Sequence, residues 1–550
     1  MAAGAGPLNA GADTSEAGAT TTSSDAIRRR AAGGLVVAAI VGFCFLPILL
    51  LPLLAGLAPA SPWALASDPY LRSVVGFTLT QALLSTALSV LFGVPLALAL
   101  DRLRFPGRDL VLRLFFLPQA LPVLVGALGL VTVFGRNGVV ADAFAWAGLP
   151  RPSIYGLTGV LLAHVFFNMP LVARMVVGGL SGVPAESWKL AGQLSLSRWA
   201  TFRILELPVL RRTLGPAAGL VFMLCVTSFT LVLVLGGGPR ASTLEVAIYQ
   251  SLRYDFDPGR AFTLAVLQIL LVALLLLPTL GRSNSVDTGF GQARANRRFH
   301  RGSIPSRLFD GAVVVVALAF LLAPLTAIAV SGLRSDLPHI LMDPAFLDAL
   351  LKSLSIALGA SVLGIAASVC LALAADGSGL ARSRLLFALP ASLVLVVPPI
   401  VVGAGWFLAL RAFGDVARFA PFVVVATNAV MIIPFATRIL GPEIAAVGRR
   451  HGRLARSLGL EGWARIVHVE WPALRRPLAL AGAFAMAISL GDLGAVALFG
   501  NADLVTLPYL LLQRMGAYRS TDAAGIALIL GVLCVALILV AERGLGEKRR

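Results

Sequence analysis

The chain has 550 residues, 58% of them hydrophobic and 13% charged, with a mean hydropathy of +0.88. A soluble globule could not hide that much apolar surface, so the composition specifies an integral membrane protein. The formal charge of +18 could suit a nucleic-acid binder, but most Lys and Arg fall in segments on one side of the alternating apolar runs; this is positive-inside bias, and no nucleic-acid partner is expected.

Met1 to about Ser24 is rich in Ala, Gly, Ser and Thr without apolar periodicity. With Arg28, Arg29 and Arg30 behind it, residues 1–34 read as a disordered cytoplasmic tail. Basic residues ahead of an apolar run can also open a signal peptide, but Leu35 to Leu57 exceeds a normal signal core, which favours an uncleaved first helix. Twelve spans are predicted, at about 35–59, 73–100, 113–134, 155–179, 214–236, 262–280, 308–332, 351–375, 385–410, 420–440, 478–500 and 521–541. Their lengths match a hydrocarbon core of ~30 Å at ~1.5 Å per residue, and only helices satisfy a lone backbone in lipid. Residues 281–307 are polar, Gly/Ser-rich and basic, and read as a cytoplasmic linker. It separates a first transmembrane domain (35–280) from a second (308–541), leaving 542–550 as a tail with both chain ends cytoplasmic.

The two halves repeat each other. Leu190 to Leu214 and Leu454 to Leu478 align without a gap at an offset of 264 residues, with 12 of 25 positions identical. Trp199/Trp463, Glu206/Glu470, Pro208/Pro472 and Arg211-Arg212/Arg475-Arg476 share one register. His164, Pro170 and Arg174 match Asn428, Pro434 and Arg438 at the same offset, and Leu96 to Asp101 echoes Leu371 to Asp376. Six spans, an even number, separate the copies, so the repeats are parallel and can face each other across an axis normal to the bilayer. The fold class expected is all-α, with twelve transmembrane helices as two parallel six-helix repeats.

No chemistry of its own is visible. The three lysines, Lys189, Lys352 and Lys548, lie in no Gly-rich phosphate loop, and there is no HExxH, GxSxG or Cys/His metal spacing. Cys44, Cys225, Cys370 and Cys534 sit singly in apolar runs and read as packing residues. A transport subunit rather than an enzyme is expected, with no cofactor or metal held by this chain.

The paired cytoplasmic loops resemble the EAA loop of membrane permeases from binding-protein-dependent ABC importers. That pattern is E-A-A, then Gly, then a Pro thirteen residues later; Gly459 and Pro472 keep the spacing, and Ser195 replaces the Gly before Pro208. Lys189 and Arg453 stand where the Glu belongs, while the third-position Ala survives as Ala191 and Ala455. Phe105 to Leu130 is similar to the third-helix entry of the same family. The block Leu458 to Ser520 most resembles permeases for thiamine and thiamine pyrophosphate. The resemblance implies a type I importer permease in a bacterial inner membrane, a periplasmic binding protein, and a cytoplasmic ATPase dimer that carries the ATP and Mg²⁺.

Residues 189–208 and 453–472 are therefore expected to dock on the ATPase, with Trp199 and Trp463 as anchors; interface tryptophans of the membrane surface are the plain alternative. Asp492, in an apolar run, is expected on the translocation path, since a charge at that depth is costly unless it faces a cavity or a partner. Its counterpart is Ser228. A capping hydrogen bond is the structural alternative for Asp492. His164, Asn168 and Asn428 are polar at membrane depth and suit either interhelical hydrogen bonds or the path. Trp63, Tyr70, Trp146, Tyr155 and Trp406, near span ends, read as interface anchors. Other cargoes handled by such permeases, among them ferric iron, sulfate and polyamines, stay open. A twelve-helix secondary transporter is also a parallel six-plus-six duplication, but long Trp/Pro/Arg loops would have no purpose in it. A non-transporting scaffold gives no reason for twin loops either.

Overall fold

The computed structural model describes residues 24–55, 67–115, 117–238, 241–280, 303–376, 386–387, 394, 397–414, 416–460, 462–500 and 503–546. Among them there is no strand. The tail before Ser24, most of the linker, Trp63, and the start of the ninth predicted span lie outside the described residues. Eleven helical stretches are long and apolar enough to cross a membrane, and a shorter apolar helix from Pro399 stands in the ninth position.

In the first half the helices are α1 (Ser24–Ala55), α2 (Pro69–Arg102), α3 (Arg108–Leu114), α4 (Leu117–Ala120), α5 (Val123–Phe134), α6 (Val139–Trp146) and α7 (Leu157–Ser181). They continue as α8 (Ala185–Gln193), α9 (Arg198–Thr201), α10 (Leu207–Val226), α11 (Thr230–Leu235), α12 (Leu244–Arg253) and α13 (Pro258–Leu280). The second half holds α14 (Ile304–Leu333), α15 (Leu337–Met342), α16 (Pro344–Asp376), α17 (Pro399–Phe413) and α18 (Val416–Ser457). It ends with α19 (Gly462–Arg465), α20 (Trp471–Gly491), α21 (Gly494–Phe499), α22 (Leu507–Gly516) and α23 (Ser520–Gly546).

Several expectations are corrected. The first helix starts at Ser24, so residues 24–34 are helical rather than part of a tail; Arg29 gains a long-range ion partner that composition does not reveal. The third span is three helices, because Pro118 and Pro122 interrupt the run. The fifth and eleventh spans are each broken, after Val226 and after Gly491. At the second break the Asp492 carboxylate accepts from the Gly494 amide (3.2 Å), an Asx turn that restarts the chain as α21. The tenth span does not end near 440 but continues as one helix to Ser457. Trp406 is no interface anchor: its indole donates to the Phe43 carbonyl (3.0 Å) and its ring stacks on Phe43.

The principal packing within each half joins α2 to α7 and α16 to α18. A Cβ at Gly93 would stand 2.8 Å from Val172 Cβ, so only glycine permits the first of these approaches. The first helix of each half lies elsewhere. α1 packs on α16 and α17, and α14 packs on α2 and α5 as well as on α23 of its own half, so each opening helix reaches the opposite repeat. Gly129 of α5 lets α14 come close: an added Cβ would be 2.7 Å from the Pro324 carbonyl oxygen. Outward faces carry large exposed apolar side chains such as Leu49, Leu83 and Leu351, as a lipid-facing surface requires.

Candidate functional site

Two regions collect the residues singled out by the sequence. The first is a cavity of about 290 Å³ where the halves meet, close to the lower size of small-molecule sites at ~300 Å³. Both helix breaks line it, through Thr227, Ser228 and Phe229 on one side and Asp492 and Gly494 on the other. Unwound backbone at membrane depth is tolerated only where it is buried in protein or borders a cavity, and here it borders one. Beyond the breaks the two halves repeat one contact: Thr78 Oγ1 accepts from the Leu244 amide (3.1 Å) and Ser353 Oγ from the Leu507 amide (2.7 Å), tying α12 to α2 and α22 to α16.

His164, Asn168, Ser228 and Asp492 all line this cavity. His164 is buried, with Nδ1 2.8 Å from the Ser85 hydroxyl, and its Nε2 has no partner among the described residues. Asn168 donates to Cys225 Sγ (3.4 Å). Asp492 combines both roles expected of it, since Oδ1 caps α21 while Oδ2 is buried without a partner among the described residues. Asn428 is not among the lining residues; it donates to Ser489 Oγ (2.9 Å) and joins α18 to α20. Glu245, which sequence reasoning missed, is a further lining residue. Its segment falls between predicted spans, where a single acid looks unremarkable.

The second region is the pair of cytoplasmic loops. In each, a helix ends on a residue with positive φ, Ser195 (47°) and Gly459 (64°). The next amide then reaches back across the turn, from Leu196 to the Ala191 carbonyl (3.1 Å) and from Leu460 to the Ala455 carbonyl (2.9 Å). This is a left-handed helix stop, which explains Gly at the position and a small, buried Ala five residues before the donor. Ser195 adopts a conformation that costs an L-residue roughly 1 kcal/mol. Ser195→Gly should therefore raise stability by about 1 kcal/mol, and Gly459→Ala, whose Cβ would meet nothing within 4 Å, should lower it by about as much, both read as thermal-midpoint shifts of the purified protein.

A short α-helix and a π-turn follow in both copies, Phe202–Glu206 and Ile466–Glu470. The amides of Leu207 and Trp471 bond five residues back, to Phe202 and Ile466, instead of four. Pro208 and Pro472 come next; a proline lacks its amide and crowds the carbonyl four residues behind, and the widened turn accommodates it. Both π-turns close on a buried glutamate. Glu206 pairs with Arg102, which also lies 3.9 Å from Asp310, itself 2.8 Å from Arg198. Glu470 meets Arg29 at 2.8 Å and Arg465 at 3.0 Å.

What the loops leave outside is apolar. Trp199 and Trp463 are 69% and 76% exposed, and Leu190, Leu194, Leu454 and Leu458 are exposed beside them at matching positions. The four leucines were not singled out from sequence, although their identity at the 264-residue offset was a usable signal. Lys189 is exposed while Ala191 and Ala455 are buried; Arg453 lies on α18 within the same turn.

Residues 89–283 and 364–545 match the family described as binding-protein-dependent transport system inner membrane component. The chain belongs to this family. It is a permease with two copies of the family domain fused in one polypeptide, a multi-pass component of the inner membrane. The thiamine transport system permease protein of Brucella abortus (strain 2308) is 48% identical over 522 residues, covering 94% of this chain and 96% of its own length. Its namesake in Salmonella typhimurium is 43% identical over 497 residues (88% of this chain, 91% of that protein). That of Escherichia coli (strain K12) is 44% identical over 496 residues, with the same coverage of 88% and 91%.

Proposed function

We propose that this permease forms the path by which thiamine and thiamine pyrophosphate cross the inner membrane, received from a periplasmic binding protein. We also propose that its two EAA-like loops dock on a separate cytoplasmic ATPase dimer, which holds the ATP and Mg²⁺; the permease hydrolyses nothing itself. The observation that carries the cargo is the fused, near full-length likeness to thiamine permeases. The cavity supports it: among the described residues two carboxylates and no Lys or Arg line it, a polarity suited to a cationic thiazolium.

The ATPase reading is supported by the exposed Leu-Leu-Trp sets, one per half, as a dimeric partner would need. Beside the second set a groove of about 480 Å³ runs along Leu454, Leu458, His468 and Pro472. A helix with an apolar anchor, held rigid by the left-handed stop and the buried Glu206 or Glu470, can pass a partner's rigid-body motion to the helix breaks. Both termini are assigned to the cytoplasm on this reading.

Uptake of radiolabelled thiamine and thiamine pyrophosphate, with ferric iron as control, should be lost in a strain lacking the chain and restored by its return. Restored iron uptake without thiamine uptake would reassign the cargo.

A further inference from the structure

We infer that Glu245 and Asp492 together form a cation-recognising clamp in the cavity, one jaw from each half, and that this clamp rather than cavity shape selects for a positively charged ring on the cargo. The inference rests on the proposed path and goes further in naming the specificity-determining residues. Glu245 is 1% exposed, and its Oε1 has no hydrogen-bond partner among the described residues. Asp492 Oδ2 is in the same condition. Among the described residues no Lys or Arg lines the cavity with them, and the imidazole there, His164, is hydrogen-bonded to Ser85. Each acid keeps one buried oxygen without a partner among the described residues, a cost relieved only by taking up a proton or by meeting a cation. A cargo that brings its own positive charge and an amine donor offsets that cost.

The two acids are not a duplicated pair. Glu245 follows Leu244 where Pro508 follows Leu507, and Asp492 stands at the 264-residue offset from Ser228, so each half supplies one carboxylate from a different position. The jaws are also mounted on different elements. Asp492 sits at the break between α20 and α21, whereas Glu245 lies in the first turn of α12, held by the Thr78 to Leu244 hydrogen bond. α12 packs on α17 and α21 of the opposite half. Relative movement of the halves therefore changes the separation of the carboxylates, which would grip a cation in one state and release it in the other.

The test uses the full complex of permease, ATPase and binding protein in proteoliposomes, with thiamine and its neutral thiophene isostere as probes. Glu245→Gln should lower thiamine uptake at least tenfold and narrow the preference for thiamine over the isostere, and Glu245→Asp should recover part of both. Uptake and preference unchanged in an assembled Glu245→Gln complex would overturn the clamp while leaving the proposed cargo standing. If that variant fails to assemble, Asp492→Asn reads the same clamp from the other jaw with the same two outcomes. Absence of thiamine uptake by the unaltered complex is a separate result, which overturns the cargo assignment itself.

Discussion

Replacing Glu470 with alanine should destabilise the cytoplasmic end of the second half by roughly 3–5 kcal/mol, the cost of removing one partner from a buried ion pair. Two guanidinium groups converge on one Glu470 oxygen, Arg29 at 2.8 Å and Arg465 at 3.0 Å, and all three side chains are less than one-fifth exposed. Without the carboxylate, two guanidinium groups lose the acceptor they share. The first half should suffer less from Glu206→Ala, because Arg102 keeps Asp310 within 3.9 Å. Thermal midpoints of the purified permease measure both, and equal shifts in the two variants would contradict this ordering. Removing Arg29 together with Glu470 should return part of the loss, since the pair is coupled.

The second large effect is expected at the exposed tryptophans. Apolar anchors at the centre of a protein interface are worth about 2–4 kcal/mol each when truncated, so Trp199→Ala combined with Trp463→Ala should weaken ATPase association by three orders of magnitude or more. Each single variant should leave one site engaged and retain part of the co-purifying ATPase. The double variant should yield permease of normal thermal midpoint without it, because neither ring is buried within the chain. Normal co-purification and uptake by the double variant would return both tryptophans to the role of membrane-surface residues.

How much of this could be read from the chain depends on whether a residue's partner is near in sequence or announced by the duplication. The loops were legible because every feature in them occurs twice: the left-handed stop at Ser195 and Gly459, the proline after each π-turn, the glutamate that closes it. Eleven of the predicted spans followed from uniform apolar runs. That same uniformity concealed the broken helices, since Thr227 to Phe229 sit in a stretch as greasy as its flanks, and a hydropathy pattern has no term for a cavity beside the backbone. Asp492 stood out because it interrupts such a run, but Glu245 did not, for it falls in a mixed segment between predicted spans. Its importance comes from what α12 meets in the other half. Arg29 was taken for part of a charged tail for the same reason: its partner is 441 residues away.

The placement of α1 and α14 on the opposite repeat bears on what counts as a moving part. A tilt of the second bundle must haul the amino-terminal helix along with it, and a tilt of the first must drag on α14, which holds to α23 as well. The mechanical units of the transport cycle then differ from the units that were copied when the gene doubled. A chain severed within its central connector would still be cross-braced at both ends, each fragment holding the other's opening helix like two people with linked arms.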